Sequence, residues 1–152
     1  MRKILLTLLL LIAFPVFASH IVGGEFELIH ISGNKYRLNL IIYFDQINGA
    51  LGAKDLGANV SIFRKRDKML MSTVTLLLQN ESNVPYTQPE CSNGEIVTTK
   101  LLYTSELTLS AAQFNDPEGY FVVWQRCCRN YSISNIYSEM PGGTNTSAGQ
   151  TF

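Results

Sequence analysis

Apolar and polar residues alternate with a period of two over much of this chain, the spacing of strands whose side chains point to opposite faces in turn. The clearest case is YRLNLIIYF at residues 36–44, rich in the aromatic and branched residues that favour strands, where Tyr36, Leu38, Leu40, Ile42 and Phe44 share one face. Arg37 and Asn39 occupy the other face before Ile41 and Tyr43 turn it apolar, so this strand is expected to enter a core as it proceeds. A looser alternation over 21–31 sets Phe26, Leu28 and His30 against Glu25, Glu27 and Ile29, and Ser-Gly-Asn-Lys between the two segments supplies a turn. Residues 46–59, with Gly49, Gly52 and Gly57, read as a loop. Residues 60–66 and 69–79 read as a hairpin about a two-residue break at Asp67 and Lys68. The polar stretch 80–94, with Pro85 and Pro89, is expected to be a long connection. Strand composition returns over 96–109, and Ser110 can cap one helical turn after it.

The stretch DPEGYFVVWQRCCRN, residues 116–130, organises the rest. Its first four residues are turn chemistry, proline presetting one backbone angle and glycine accepting a positive one. Tyr120, Val122 and Trp124 then alternate with Phe121, Val123 and Cys127. Both faces are apolar, which predicts a central strand covered on both sides, with Tyr120, Val122 and Trp124 in the structural core. A further short strand is expected over 133–137, before a polar tail. About seven short strands without a helix of useful length predict an all-β antiparallel β-sandwich.

Residues 1–18 read as a cleaved signal peptide rather than a domain element. Arg2 and Lys3 form a basic start, residues 4–14 are apolar, and Val16 and Ala18 are small residues at the cleavage positions. The mature chain then runs from Ser19 to Phe152, with no later apolar run long enough to span a membrane. Without Arg2 and Lys3 it carries 10 basic and 12 acidic residues, a balance that gives no reason to expect a nucleic-acid partner. Export places Cys91, Cys127 and Cys128 where disulfides persist. Neighbouring cysteines pair poorly with each other, so Cys91 is expected to bridge to Cys127 or to Cys128, leaving one thiol over.

Candidate chemistry is sparse. Ile21-Val22-Gly23-Gly24 after a cleavage site suggests the activated terminus of a chymotrypsin-like protease, but the two histidines, His20 and His30, both lie in the first strand region and no serine has the glycine-flanked context of the nucleophile. The chain is therefore read as a non-enzyme, with no catalytic, cofactor or metal residues; His20, second from a new amino terminus where amine and imidazole together suit copper, reads as an inert histidine. Arg64, Lys65, Arg66 and Lys68 form a basic cluster that reads as a solvated hairpin tip. Arg126 and Arg129 flank the cysteines. Asn59, Asn80, Asn130 and Asn145 each open an Asn-x-Ser sequon.

Two stretches together carry a family resemblance. ASHIVGGEFEL with YRLNLIIYFDQ, and DPEGYFVVWQRCCRN with PGGTNTSAGQTF, resemble the N-terminal region of large secreted Bacteroidetes proteins that end in a gliding-motility-associated C-terminal domain. The resemblance covers most of residues 19–152, with CCRN its most specific part. It implies an immunoglobulin-like surface module, exported by the type IX secretion route and associated with adhesion or the envelope, as the leading part of a longer protein. Gln46 stands where many relatives carry a cysteine, which leaves the cysteine count odd. The expected partners are the secretion machinery, other envelope proteins and surface glycans. A carbohydrate-binding module is the alternative function, with Tyr36, Tyr43, Tyr86 and Tyr103 as possible ligand contacts.

Overall fold

A computed structural model describes residues 21–47, 49, 54–91, 94 and 97–125, and only the backbone at Cys91. Six strands follow in chain order: β1 (Ile21–Ser32), β2 (Lys35–Asp45), β3 (Gly57–Arg64), β4 (Leu70–Asn83), β5 (Thr98–Thr108) and β6 (Tyr120–Trp124). They form one antiparallel sheet in the order β1-β2-β5-β4-β3-β6, curled into a half-barrel. A short 3-10 turn, Pro89–Cys91, lies in the connection after β4. Among the described residues no helix is long and apolar enough to cross a membrane.

Local chemistry explains the hairpins. Ser32 pairs with Lys35, so Gly33 and Asn34 make a two-residue turn, and Gly33 has φ +53°, the left-handed angle such a turn asks of its first central residue. His30 Nε2 lies 2.9 Å from Gly33 O and ties the strand end to that turn. The β3–β4 connection is longer than the two-residue break expected, because β3 ends at Arg64 and β4 starts at Leu70. Its backbone closes through Arg64 N–H to Met69 O at 2.9 Å and Lys68 N–H to Arg64 O at 3.0 Å, with Lys68 at φ +60°. The register thus comes from a five-residue loop rather than a tight turn.

Registration places one face of every strand in the concave side. Phe26 lies opposite Leu40, Leu40 opposite Tyr103, and Tyr103 opposite Leu78, one apolar row across four strands. Val60 faces Val74 on one side and Trp124 on the other. Trp124 belongs to the same buried cluster as Ile21, Leu38 and Phe44, so β3 and β6 arch back over β1 and β2. Burying a side chain such as Leu40 or Phe44 fully contributes about 1.5–3 kcal/mol. The β4–β5 ladder shifts by one residue between Leu78 and Asn80. Such a bulge increases local twist, and here it lies where the sheet turns from one half of the arch to the other.

The strand expected over 120–124 forms as β6, and Trp124 lies in the core cluster with Val122 packed against it. Among the described residues β6 pairs only with β3, at one end of the sheet, and Tyr120 to Val123 are half-buried while Trp124 is 6% exposed. On its outer face Phe121 stacks on Phe63, ring centroids 5.5 Å apart. The turn after β5 forms as one helical loop, Phe114 N–H donating to Ser110 O at 2.8 Å. The strand expected over 133–137, together with His20, Arg126, Cys127, Cys128, Arg129, Asn130 and Asn145, lies outside the described residues, so the structure leaves the disulfide pairing open.

Candidate functional site

The curl leaves a gap between the two outer strands of the half-barrel. An apolar groove of about 240 Å3 occupies it, walled by Phe26 and Leu28 of β1, Ile62 of β3, Leu107 of β5, Val122 of β6 and Phe114 of the loop after β5. These residues come from the concave faces of their strands, apart from Phe114, which the helical loop after β5 swings in. Phe114 packs edge-on against Tyr120, centroids 5.0 Å apart, and the Tyr120 hydroxyl accepts the Asp116 N–H at 2.9 Å. The groove can take apolar surface and offers few polar atoms for orienting a small molecule.

Above the groove, an ionic cluster joins the β3–β4 loop to the turn before β6. Asp116 is only 3% exposed at its side chain and receives Arg66 Nη2 at 3.1 Å and Arg64 Nε at 3.9 Å. Its other oxygen accepts the Glu118 N–H at 3.0 Å, and Gly119, at φ +81°, closes the turn with its N–H on Asp116 O. Arg64 also grips Asp67 with two nitrogens, at 3.0 and 2.6 Å. That guanidinium, helped by the Met69 N–H, holds the Asp67 carboxyl down at about 2. Lys68 sits over the Phe121 ring at 5.1 Å. The basic run expected as a solvated hairpin tip is exposed from Lys65 to Leu70, and its arginines are also held by the chain's own carboxylates.

The convex face is laced by polar pairs between neighbouring strands. Tyr43 donates to Glu25 at 2.9 Å, Asn39 donates to Glu27 at 2.9 Å, and Arg37 pairs with Glu106 at 3.2 Å. The hydrogen bond to the Glu25 carboxylate, followed by burial, pushes the Tyr43 phenol pKa up. Beside them, Asn39 Oδ1 and Thr104 Oγ1 are buried without a hydrogen-bond partner, on residues that face each other across β2 and β5. A second, polar hollow of about 220 Å3 lies between β3 and β6, by Asn59, Ser61 and Gln125. Asn59 accepts a hydrogen bond from Thr75 at 2.8 Å.

The structure scatters the four tyrosines. Tyr103 is 3% exposed and donates to Asp55 O at 2.9 Å, so it is a core residue rather than a ligand contact. Tyr36 and Tyr43 lie seven residues apart on opposite faces of β2, with Tyr36 packed on His30 at 5.1 Å. Tyr86 stands exposed in the connection after β4. They do not make one platform. Among the described residues no three of the histidine, cysteine, aspartate and glutamate side chains are grouped to hold a metal ion.

Two features escaped the sequence reading. Asp116 looked like a turn former and is also a buried ionic anchor; its partner Arg66 lies 50 positions away, beyond any local signal. Phe114 falls in the helical turn expected after Ser110, and only the arch of the sheet makes it a wall of the groove. Compared with known proteins, the chain matches no family model, no curated protein and no solved structure.

Proposed function

We propose that this chain is a non-enzymatic, exported β-module that works at the outer cell surface as an adhesive or load-bearing unit, the leading part of a gliding-motility-associated protein carried by type IX secretion. The observation that carries this reading is the pair of long ladders through β2. That strand is held antiparallel to β1 and to β5 along almost its whole length, from Lys35 paired with Thr108 to Asp45 paired with Thr98. The polar side chains outside those ladders are engaged with one another across the strands, which suits a rigid scaffold. The packing of β3 and β6 back across β1 and β2 supports a two-layered, immunoglobulin-like arrangement. Residues 1–18 are then the cleaved signal peptide, and Cys91 bridges to Cys127 or Cys128.

Protease treatment of intact native cells, with N-terminal sequencing of the released chain, tests the reading. The expected result is digestion from outside and a mature terminus at Ser19; a chain retained in the cytosol with Met1 to Ala18 still attached overturns it. Carbohydrate binding is the second reading, supported by Tyr43, whose half-buried ring lies on the convex face beside the Glu25 carboxylate and offers an aromatic surface next to acceptors. A glycan array decides between them: reproducible binding that Tyr43→Ala abolishes favours the second.

A further inference from the structure

Among the described residues the sheet ends in a strand whose outer edge lacks the lysine or proline that commonly blunts one. β1 is twelve residues long, and among the described residues it pairs only with β2, leaving its other edge without a strand. Natural edges are blunted by lysine, proline or short length, and β1 reads IVGGEFELIHIS, with neither residue. Its two carboxylates are turned to β2, Glu25 to Tyr43 and Glu27 to Asn39. Three apolar side chains in its second half stand in the open: Leu28 is 54% exposed, Ile29 41% and Ile31 42%. The register with β2 is regular from Gly23 to Ile29, with irregularities only at the two ends.

We propose that this edge pairs with the same edge of a second copy, giving a two-fold dimer centred on Leu28. An antiparallel pair of identical strands must place its axis through a residue, because facing residues have backbone groups pointing the same way. Charge then selects which residue. An axis at Phe26 sets Glu25 against Glu27 of the second copy, and an axis at Glu27 sets that carboxylate against itself, both unfavourable. An axis at Leu28 sets Glu27 against Ile29, Glu25 against Ile31, and Phe26 against His30, with no like charges facing. Moving the axis to Ile29 or His30 also avoids repulsion but shortens the paired stretch before the Gly33 turn. With the axis at Leu28, both Leu28 side chains meet over the apolar groove, and Ile29 and Ile31 leave solvent on the opposite face. The inference stands independently of where in the cell the protein works.

Sedimentation equilibrium of the chain from Ser19 to Phe152 over a wide concentration range reads the association directly. A monomer–dimer equilibrium is expected. Leu28→Lys sets two ammonium groups face to face on the axis and weakens the dimer about 100-fold. Ile29→Lys, one position along, sets each ammonium against Glu27 of the second copy and tightens the dimer about 3-fold. The opposite signs at adjacent positions separate this register from a general effect of added charge, and the tightened variant must be folded to give its result. A monomer at all concentrations overturns the proposal, as does equal weakening by both substitutions. So does hydrogen exchange showing the outward amides of β1 protected in a monomeric protein, which would mean that the chain covers this edge itself.

Discussion

Trp124 is the chain's one tryptophan and sits in the core cluster against residues from both halves of the arch. Its emission should be that of a buried indole and shift to the red on unfolding, and Trp124→Ala should cost about 3–5 kcal/mol in denaturant melts followed by circular dichroism. Asp67 gives a second residue-level expectation. Its folded pKa of about 2 lies below the ordinary 3.8, so the Arg64–Asp67 contribution to stability is complete above 3.8 and is lost as pH falls through about 2. A carboxyl titration followed by nuclear magnetic resonance should show that low value, and Arg64→Gln should return it toward 3.8. Thr104 behaves oppositely to most buried groups: its hydroxyl is unpaired beside the unpaired Asn39 oxygen. Thr104→Val removes the desolvation cost of that hydroxyl and should raise stability by about 1 kcal/mol in thermal melts.

At the scale of elements, the strands were legible because period two is a local property. The face shared by Leu38, Leu40, Ile42 and Phe44 was read from alternation alone, and all four are buried. The Gly33 turn and the Gly119 turn were legible for a similar reason, since few residues other than glycine take positive φ cheaply. Lys68 was not. It holds φ +60° without being glycine, because the loop is closed by backbone bonds at Arg64 and by the Asp67 carboxylate. Lys68→Gly relieves a left-handed strain of about 1 kcal/mol and should raise the melting temperature by a matching amount.

For the whole molecule, the decisive pairings are distant. β2 lies beside β5, and Lys35 pairs with Thr108 across 73 positions of chain. Closing loops of that length before contact is gained slows folding, so refolding monitored by Trp124 fluorescence should fall in the millisecond-to-second range typical of sheet proteins with non-local pairing, rather than in microseconds. The amino-acid sequence by itself determined that these segments are strands, which residues of β2 share the buried face and where the Gly33 and Gly119 turns fall, since each follows from neighbours a few residues apart. It put the end of β4 too early, reading 80–83 as a connection, and the start of β3 too late, reading 57–59 as a loop. The strand order, the bulge after Leu78 that accompanies the arch, the apolar groove and the ionic knot at Asp116 were decided only in three dimensions. Each depends on which distant strand lies alongside, and alternation gives every apolar face the same invitation to be covered without naming its neighbour.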